Sequence, residues 1–177
     1  LYSTPAGKNT IVIVLADHGD GMGSHRMVTK QVSFYEEMTN VPFIIAGPGI
    51  HPRQKPVEDL LTQPTIDLLP TLCELAGIPV PSSKPGISLA PFLKGEKQKR
   101  QHPYAASEWH SEYEVTVSPG RMIRSPRYKY THYLEGNGEE LYDMLKDKGE
   151  RRNLAHDPKY SKILAEHRAL LDDYICL

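Results

Sequence analysis

The spacing of apolar positions changes along this chain, and each change marks a different kind of element. Ile11 to Leu15 are apolar without alternation and run straight into Asp17 and His18. Such a run predicts a strand buried on both faces, as in a parallel sheet. Ser33 to Glu37 predicts a turn of helix, and Val41 to Ala46 a second apolar strand that Gly47-Pro48-Gly49 ends sharply. Glu58 to Thr62 reads as a short strand. From Thr65 to Ala76 the period becomes helical: Ile66, Leu69, Leu72, Cys73 and Ala76 make one buried stripe. Pro70 is placed near the first turn, where a missing N–H costs least. Gly77 caps the end, and Pro79 and Pro81 bar continuation.

Beyond a strongly charged connector, Gly95 to Gln101, the pattern shortens again. Pro103–Trp109, Tyr113–Val117, Arg121–Arg124 and Tyr128–Tyr133 predict antiparallel strands, with Tyr128, Tyr130 and Tyr133 on a half-buried sheet face. Gly136-Asn137-Gly138 signals a turn, and Glu140 to Asp143 opens another short segment. Pro158 to Tyr174 returns to helical spacing. Ile163, Leu164, His167, Leu170, Leu171 and Tyr174 share one face, Asp157 is the cap, and Pro158 takes the first position. The division expected is residues 1–95, an α/β part, and residues 96–177, a small antiparallel-sheet subdomain with a terminal helix.

A parallel central strand needs a neighbour on each side. Only Leu1 to Asn9, polar and loop-like, precedes this one. The pattern therefore predicts the later part of a larger fold. It also predicts an open sheet edge, a route to homo-oligomers of the isolated chain.

The bulk numbers narrow the function classes. The 177 residues suit one domain or part of a larger one. A net charge of −1, from 21 basic and 22 acidic residues, argues against a nucleic-acid or polybasic membrane partner. The 15 prolines and 10 tyrosines point to a loop-rich surface. Cys73 and Cys176 are too isolated for a disulfide framework or zinc motif. No signal peptide or long apolar run stands in the sequence, which carries little weight if the N-terminus lies upstream.

The chemistry concentrates after the first strand. Polar groups at the carboxyl end of a buried strand sit where open α/β sheets place ligands. Asp17 offers a hard oxygen and His18 an imidazole nitrogen, a pair that suits a divalent cation. Gly19, Gly21 and Gly23 let the backbone approach a ligand, and His25 and Lys30 add groups useful against an anion. On these residues alone, a strand-end Asp capping a turn beside a surface His is an equal alternative. Glu108-Trp109-His110 offers a ring and an imidazole to a sugar, against the blander role of Trp109 in packing. His102, His132, His156 and His167 show no partner pattern and read as surface or packing residues.

The stretch resembles the sulfatases of the alkaline-phosphatase-like superfamily. The strand ending in Asp17-His18-Gly19, with His25 seven positions after His18 and Lys30 five further on, carries the match. Phe34 to Glu37, Val41 to Ile45, Ile66 to Leu72, Ala76 to Pro79, Gly86 to Leu89 and Pro91 to Leu93 extend it. Arg127 to Tyr130, Glu140 to Asp143 and Asn153-Leu154 carry it to the end of the chain. The resemblance implies the C-terminal part of an alkaline-phosphatase-like α/β sheet with helices, plus a small antiparallel α+β subdomain. It implies sulfuric ester hydrolysis, with Asp17 and His18 as calcium ligands and Lys30 on the sulfate. His25 matches a histidine of some branches, and His110 lies in a region that often contacts substrate. A sulfated glycan or small sulfate ester, and a periplasmic or secreted setting, follow from the same resemblance.

In that family the nucleophile is a formylglycine made from Cys or Ser within a Cys/Ser-x-Pro/Ala-x-Arg motif. Cys73 is followed by Glu74-Leu75-Ala76-Gly77, and Ser118-Pro119-Gly120-Arg121 has the wrong spacing. The expectation is a nucleophile, and further metal ligands, upstream of this chain, which alone is inactive. Two rivals stand beside this reading. One is a phosphonate or phosphate-ester hydrolase of the same superfamily using Mn or Zn. The other is a non-catalytic glycan-binding or assembly module.

Overall fold

The structure is a computed structural model. It describes residues 3–28, 32–57, 60–82, 86–96, 102–110, 119–136 and 138–175. Two compact units share the chain. The first comprises Leu1–Asp17 and Val41–His102, the second His18–Asn40 and Pro103–Leu177.

In the first unit, β1 (Val12–Leu15) and β2 (Phe43–Ala46) pair in register from Val12↔Ala46 to Leu15↔Phe43. The pairing is antiparallel, where a parallel strand was expected. An apolar run without alternation reports little about strand direction, because either neighbour satisfies it. Nor is β1 buried on both faces within this chain: Val14 and Leu15 are exposed, as is Ile44 opposite Val14. Leu60 to Thr62 form no strand, and Glu58 and Asp59 lie outside the described residues.

The helix α2 (Pro64–Ala76) falls where the periodicity places it, and Gly77 ends it at φ 69°. The Ile78 N–H reaches the Cys73 carbonyl at 2.9 Å, closing the helix in the manner that a left-handed residue permits. Pro70 is not in the first turn but in the interior of α2. It has no N–H to give the Ile66 carbonyl one turn back. The backbone of Gly86 fills that side instead: a Cβ there would stand 2.0 Å from the Ile66 oxygen. Asp67, wholly buried, accepts the N–H groups of Gln63 and Ile87, each at 2.8 Å. The Thr71 hydroxyl donates to the Asp67 carbonyl and accepts from Leu89 N–H. These bonds fasten α2 to the segment leading into α3 (Ala90–Leu93).

The second unit holds a four-stranded antiparallel sheet in sequence order. Its strands are β3 (Ala105–Trp109), β4 (Gly120–Arg124), β5 (Tyr128–Tyr133) and β6 (Glu139–Asp143). The expected α/β architecture with a small antiparallel sheet and a terminal helix is what the chain adopts. Residues 113–117 and Asn137, expected as strand and turn, lie outside the described residues. The terminal helix α4 (Ser161–Ile175) packs Leu164 and Leu171 on Ile123, Tyr130, Leu141 and Leu154. Asp157 caps the preceding turn by accepting Lys159 N–H, with Pro158 at its first position. His167, on the buried face of α4, bonds the Ile163 carbonyl and the Ser125 hydroxyl.

Strand alternation splits β5 between two environments. Tyr128 and Tyr130 face α4. Lys129 faces the segment that contains α1 (Glu36–Thr39), and Tyr133 lies beside Phe34. The sheet is thus covered on both faces at β5, where the tyrosine spacing suggested one half-buried face.

Candidate functional site

The loop after β1 is shaped by its glycines. Gly19 donates its N–H to the Met38 carbonyl at 2.9 Å. A Cβ on Gly19 would stand 1.7 Å from the Glu37 oxygen, so only glycine lets this backbone lie against α1. A Cβ on Gly21 would stand 2.4 Å from that of Met27, which is buried. The loop then closes on itself through Ser24 N–H to Gly21 O and Gly23 N–H to Met27 O. Inside it, Met22, His25 and Arg26 adopt left-handed φ values of 48°, 49° and 63°. Non-glycine residues rarely occupy that region, and where they do the surrounding contacts hold them.

His25 is held from two sides. Its ring stacks on Tyr35 at 3.7 Å between centroids and 3° between planes. Its Nε2 lies 3.9 Å from Oε2 of Glu37. Burial works against ionisation of Glu37, but its backbone hydrogen bond, the Ser24 hydroxyl and the His25 charge outweigh it. The carboxyl therefore titrates below the ordinary carboxylate range. Tyr35 continues the aromatic contact to Tyr142 at 6.4 Å.

Beneath this group lies a buried charge cluster. Lys129, almost without exposed surface, directs its ammonium to four oxygens. They are the Phe34 carbonyl at 2.9 Å, Glu36 Oε1 at 2.7 Å, Glu150 Oε1 at 2.9 Å and, more distantly, Thr39 Oγ1 at 3.5 Å. The Glu150 contact is one of charge rather than directed hydrogen bonding. The other oxygen of Glu150 accepts Glu36 N–H at 2.7 Å. Burial lifts the Glu150 carboxyl above its ordinary range, against the pull of Lys129.

His25, Glu37 and Glu150 bring one ligand atom each within 4.8 Å of one another. That spacing would admit a cation, but both oxygens of Glu150 are engaged and an ammonium stands 2.9 Å from one of them. The charge that a metal would bring is already supplied by Lys129.

The residues singled out in the sequence fall as follows. Asp17 and His18 are exposed, just beyond β1. Nδ1 of His18 lies 2.7 Å from the Gly19 carbonyl. His25 is half-buried within the loop. Lys30 lies outside the described residues. His110, exposed at the end of β3, has Nε2 3.8 Å from Glu108. Glu108 itself accepts from the Tyr174 hydroxyl at 2.7 Å and from Arg121 at 3.0 Å. Those two bonds hold its carboxyl below the usual range. Trp109, weighed as a packing residue, is exposed to 36 %. His102, read as a surface or packing residue without a partner, pairs with the buried Asp67 at 2.9 Å.

Sequence reasoning missed Glu37, Lys129 and Glu150. One signal was available. Lys129 stands between two tyrosines in a tyrosine-rich strand, where a buried, unpaired ammonium is costly.

The family described as N-sulphoglucosamine sulphohydrolase, C-terminal, matches residues 23–175. The chain belongs to the sulfatase family. This sulfatase chain is 79% identical over 175 residues to a Delta 4,5-hexuronate-2-O-sulfatase of Bacteroides thetaiotaomicron, covering 99% of the chain and 36% of that relative. It therefore spans about a third of the length of that relative. The structure of a 2-O GAG sulfatase superposes with a TM-score of 0.94 at 78% identity, over 99% of this chain and 38% of that one. A phosphonate monoester hydrolase of Agrobacterium radiobacter shares the fold at a TM-score of 0.81 and 26% identity, over 98% of this chain and 36% of its own. The sulfatase resemblance read from Thr10 to about Leu171 is borne out as to family and as to its C-terminal part.

Proposed function

We propose that the sulfatase to which this chain contributes removes the 2-O-sulfate from a hexuronate of a sulfated glycan, with a 4,5 double bond in that ring. The observation that carries this reading is 79% identity, over nearly the whole chain, to a relative of that specificity. A phosphonate-ester reading, with Mn or Zn, has only 26% identity behind it.

The roles proposed for the residues follow from charge. A sulfate monoester is an anion, and an anionic nucleophile approaches it only if positive charge is already in place. Lys30 supplies one such charge against the sulfate oxygens. His25, beside Tyr35 and Glu37, is placed to donate a hydrogen bond to a sulfate oxygen or, as an imidazolium, a proton to the departing alkoxide. His110, exposed beside Trp109, contacts the sugar.

Asp17 and His18 are proposed to hold calcium. With Nδ1 of His18 donating to the Gly19 carbonyl, the basic lone pair sits on Nε2, the tautomer that a ligand requires. Asp17 adds a hard carboxylate oxygen. Both donors fit a divalent cation, whose remaining oxygen ligands are assigned to sequence outside this chain. Once bound, the ion offsets the charge of the sulfuryl group. The formylglycine nucleophile is likewise assigned outside this chain, so these 177 residues alone turn over no ester. A periplasmic or secreted location belongs to the same proposal.

The test is sulfate release by the whole protein from four esters. They are an unsaturated 2-O-sulfated disaccharide, its 6-O-sulfated isomer, an aryl sulfate and a phosphonate monoester. The 2-O ester is expected to exceed the others in kcat/KM by about a hundredfold or more. Preference for the phosphonate ester would move the protein to the rival activity. Glycan binding without turnover or metal dependence would make it a binding module.

A further inference from the structure

We infer that Lys129 is a positioning residue for the catalytic loop, acting on His25 and the Gly19 turn through α1; as a statement about catalysis this rests on the function proposed above. Lys129 lies on β5, about a hundred residues along the chain from His25. Among the described residues it bonds to none proposed to meet the substrate. What it does touch is the frame of α1. Its ammonium binds the Phe34 carbonyl, the Glu36 carboxylate and Glu150, and Glu150 in turn takes the Glu36 N–H.

The two residues that clamp His25 are interleaved with those contacts. Tyr35, which stacks on the ring, stands between Phe34 and Glu36. Glu37, which faces Nε2, follows directly. On the same short helix, the Glu37 and Met38 carbonyls receive the close-packed backbone of Gly19, the neighbour of His18. A helix of four residues has no cooperative stability of its own. Its place must be fixed by what it is tied to, and the strongest ties are the buried charges around Lys129.

Stability alone would be served as well by apolar side chains in place of the whole cluster, whereas loss of Lys129 by itself strands the buried Glu150 carboxylate. A lysine that orients Phe34, Glu36 and Glu150 at once sets the direction from which Tyr35 and Glu37 meet His25. Catalytic groups lose efficiency steeply on displacement, about a hundredfold for one misplaced by 1 Å.

The experiment uses the whole protein with the unsaturated 2-O-sulfated disaccharide. It compares wild type, Lys129→Met, Glu150→Gln, His25→Ala and the two double variants with His25→Ala. Lys129→Met is expected to lower kcat by about ten- to a hundredfold with KM within about threefold. In the His25→Ala background the same change is expected to cost less than about threefold, because the group it positions is gone. Glu150→Gln keeps the shape of the side chain and serves if Lys129→Met does not fold; it is expected to lower kcat about three- to tenfold with the same non-additivity. A folded variant with wild-type kcat, or an equal loss in both backgrounds, overturns the proposal.

Amide exchange on the same proteins separates this claim from the function proposed. In Glu150→Gln, residues 19–27 and 34–39 are expected to exchange about tenfold faster while β4 to β6 are unchanged. That result can be read even if no ester is hydrolysed, in which case only the proposed activity fails. Unchanged exchange in the loop, or faster exchange spread over the whole sheet, overturns the positioning role.

Discussion

His25 and Tyr35 lie ring on ring, 3.7 Å apart and within 3° of parallel, although His25 must take a left-handed backbone to do so. The stack fixes the plane of the imidazole, and Glu37 places a carboxylate oxygen 3.9 Å from its Nε2. Tyr35→Phe retains the stack and is expected to keep kcat within about threefold. Tyr35→Leu removes a contact worth about 1 kcal/mol and leaves the ring free to turn, so a fall of about tenfold is expected. Steady-state kinetics on the whole protein compare the two.

Gly19 and Gly49 make a second comparison. Alanine at Gly19 places a Cβ 1.7 Å from a backbone oxygen of α1, so the loop must move away from the helix. Alanine at Gly49 meets no atom within 4 Å and bears only the cost of φ 76°. Gly49→Ala is expected to cost about 1 kcal/mol of stability with activity kept. Gly19→Ala is expected to cost about 2 kcal/mol or more and to reduce activity severely. Thermal melts alongside kcat/KM test both.

Asp67 supports the other unit. Its carboxylate takes two backbone N–H groups and faces His102 with no exposure to water. Asp67→Ala would remove the acceptor of two part-buried N–H donors, at a cost of about 2 kcal/mol or more. His102→Phe, which keeps those two bonds, is expected to cost less. Urea denaturation of each variant measures the order.

Glu139 provides an acid-sensitive element. The Arg168 guanidinium, with help from the Tyr130 hydroxyl and against the effect of burial, brings its carboxyl down to about 2. A carboxyl with a depressed folded pKa adds stability above its unfolded pKa near 4.5 and loses it as pH falls towards 2. Arg168 is half exposed, so solvent screening reduces the contribution to about 1 kcal/mol. Melts between pH 6 and 2 are expected to show a shallower acid loss in Glu139→Gln than in wild type.

Local pattern accounted for elements whose signals are themselves local. Tyr128–Tyr133 is a strand with the bounds its residues suggested, and Asp157-Pro158 starts the turn into α4 as a cap and first-position proline do. The direction of β1 was not legible, because pairing partners are chosen by what the chain does between Leu15 and Phe43. Pro70 was misplaced because the cost of a helix-interior proline depends on whether another segment meets the open carbonyl, and Gly86 does. That Asp17-His18-Gly19 follows the first strand was legible because the two are contiguous. The Lys129–Glu36–Glu150 cluster was not, since its members meet across 93 and 114 positions. No period or motif in the sequence records such a meeting.

The measurement that bears most directly on the account is sulfate release from the unsaturated 2-O-sulfated disaccharide by the whole protein, wild type against Asp17→Ala. Wild type is expected to release sulfate, and Asp17→Ala to do so at least about a hundredfold more slowly while folding normally. Equal rates in the two proteins, or no sulfate released by wild type, would contradict it.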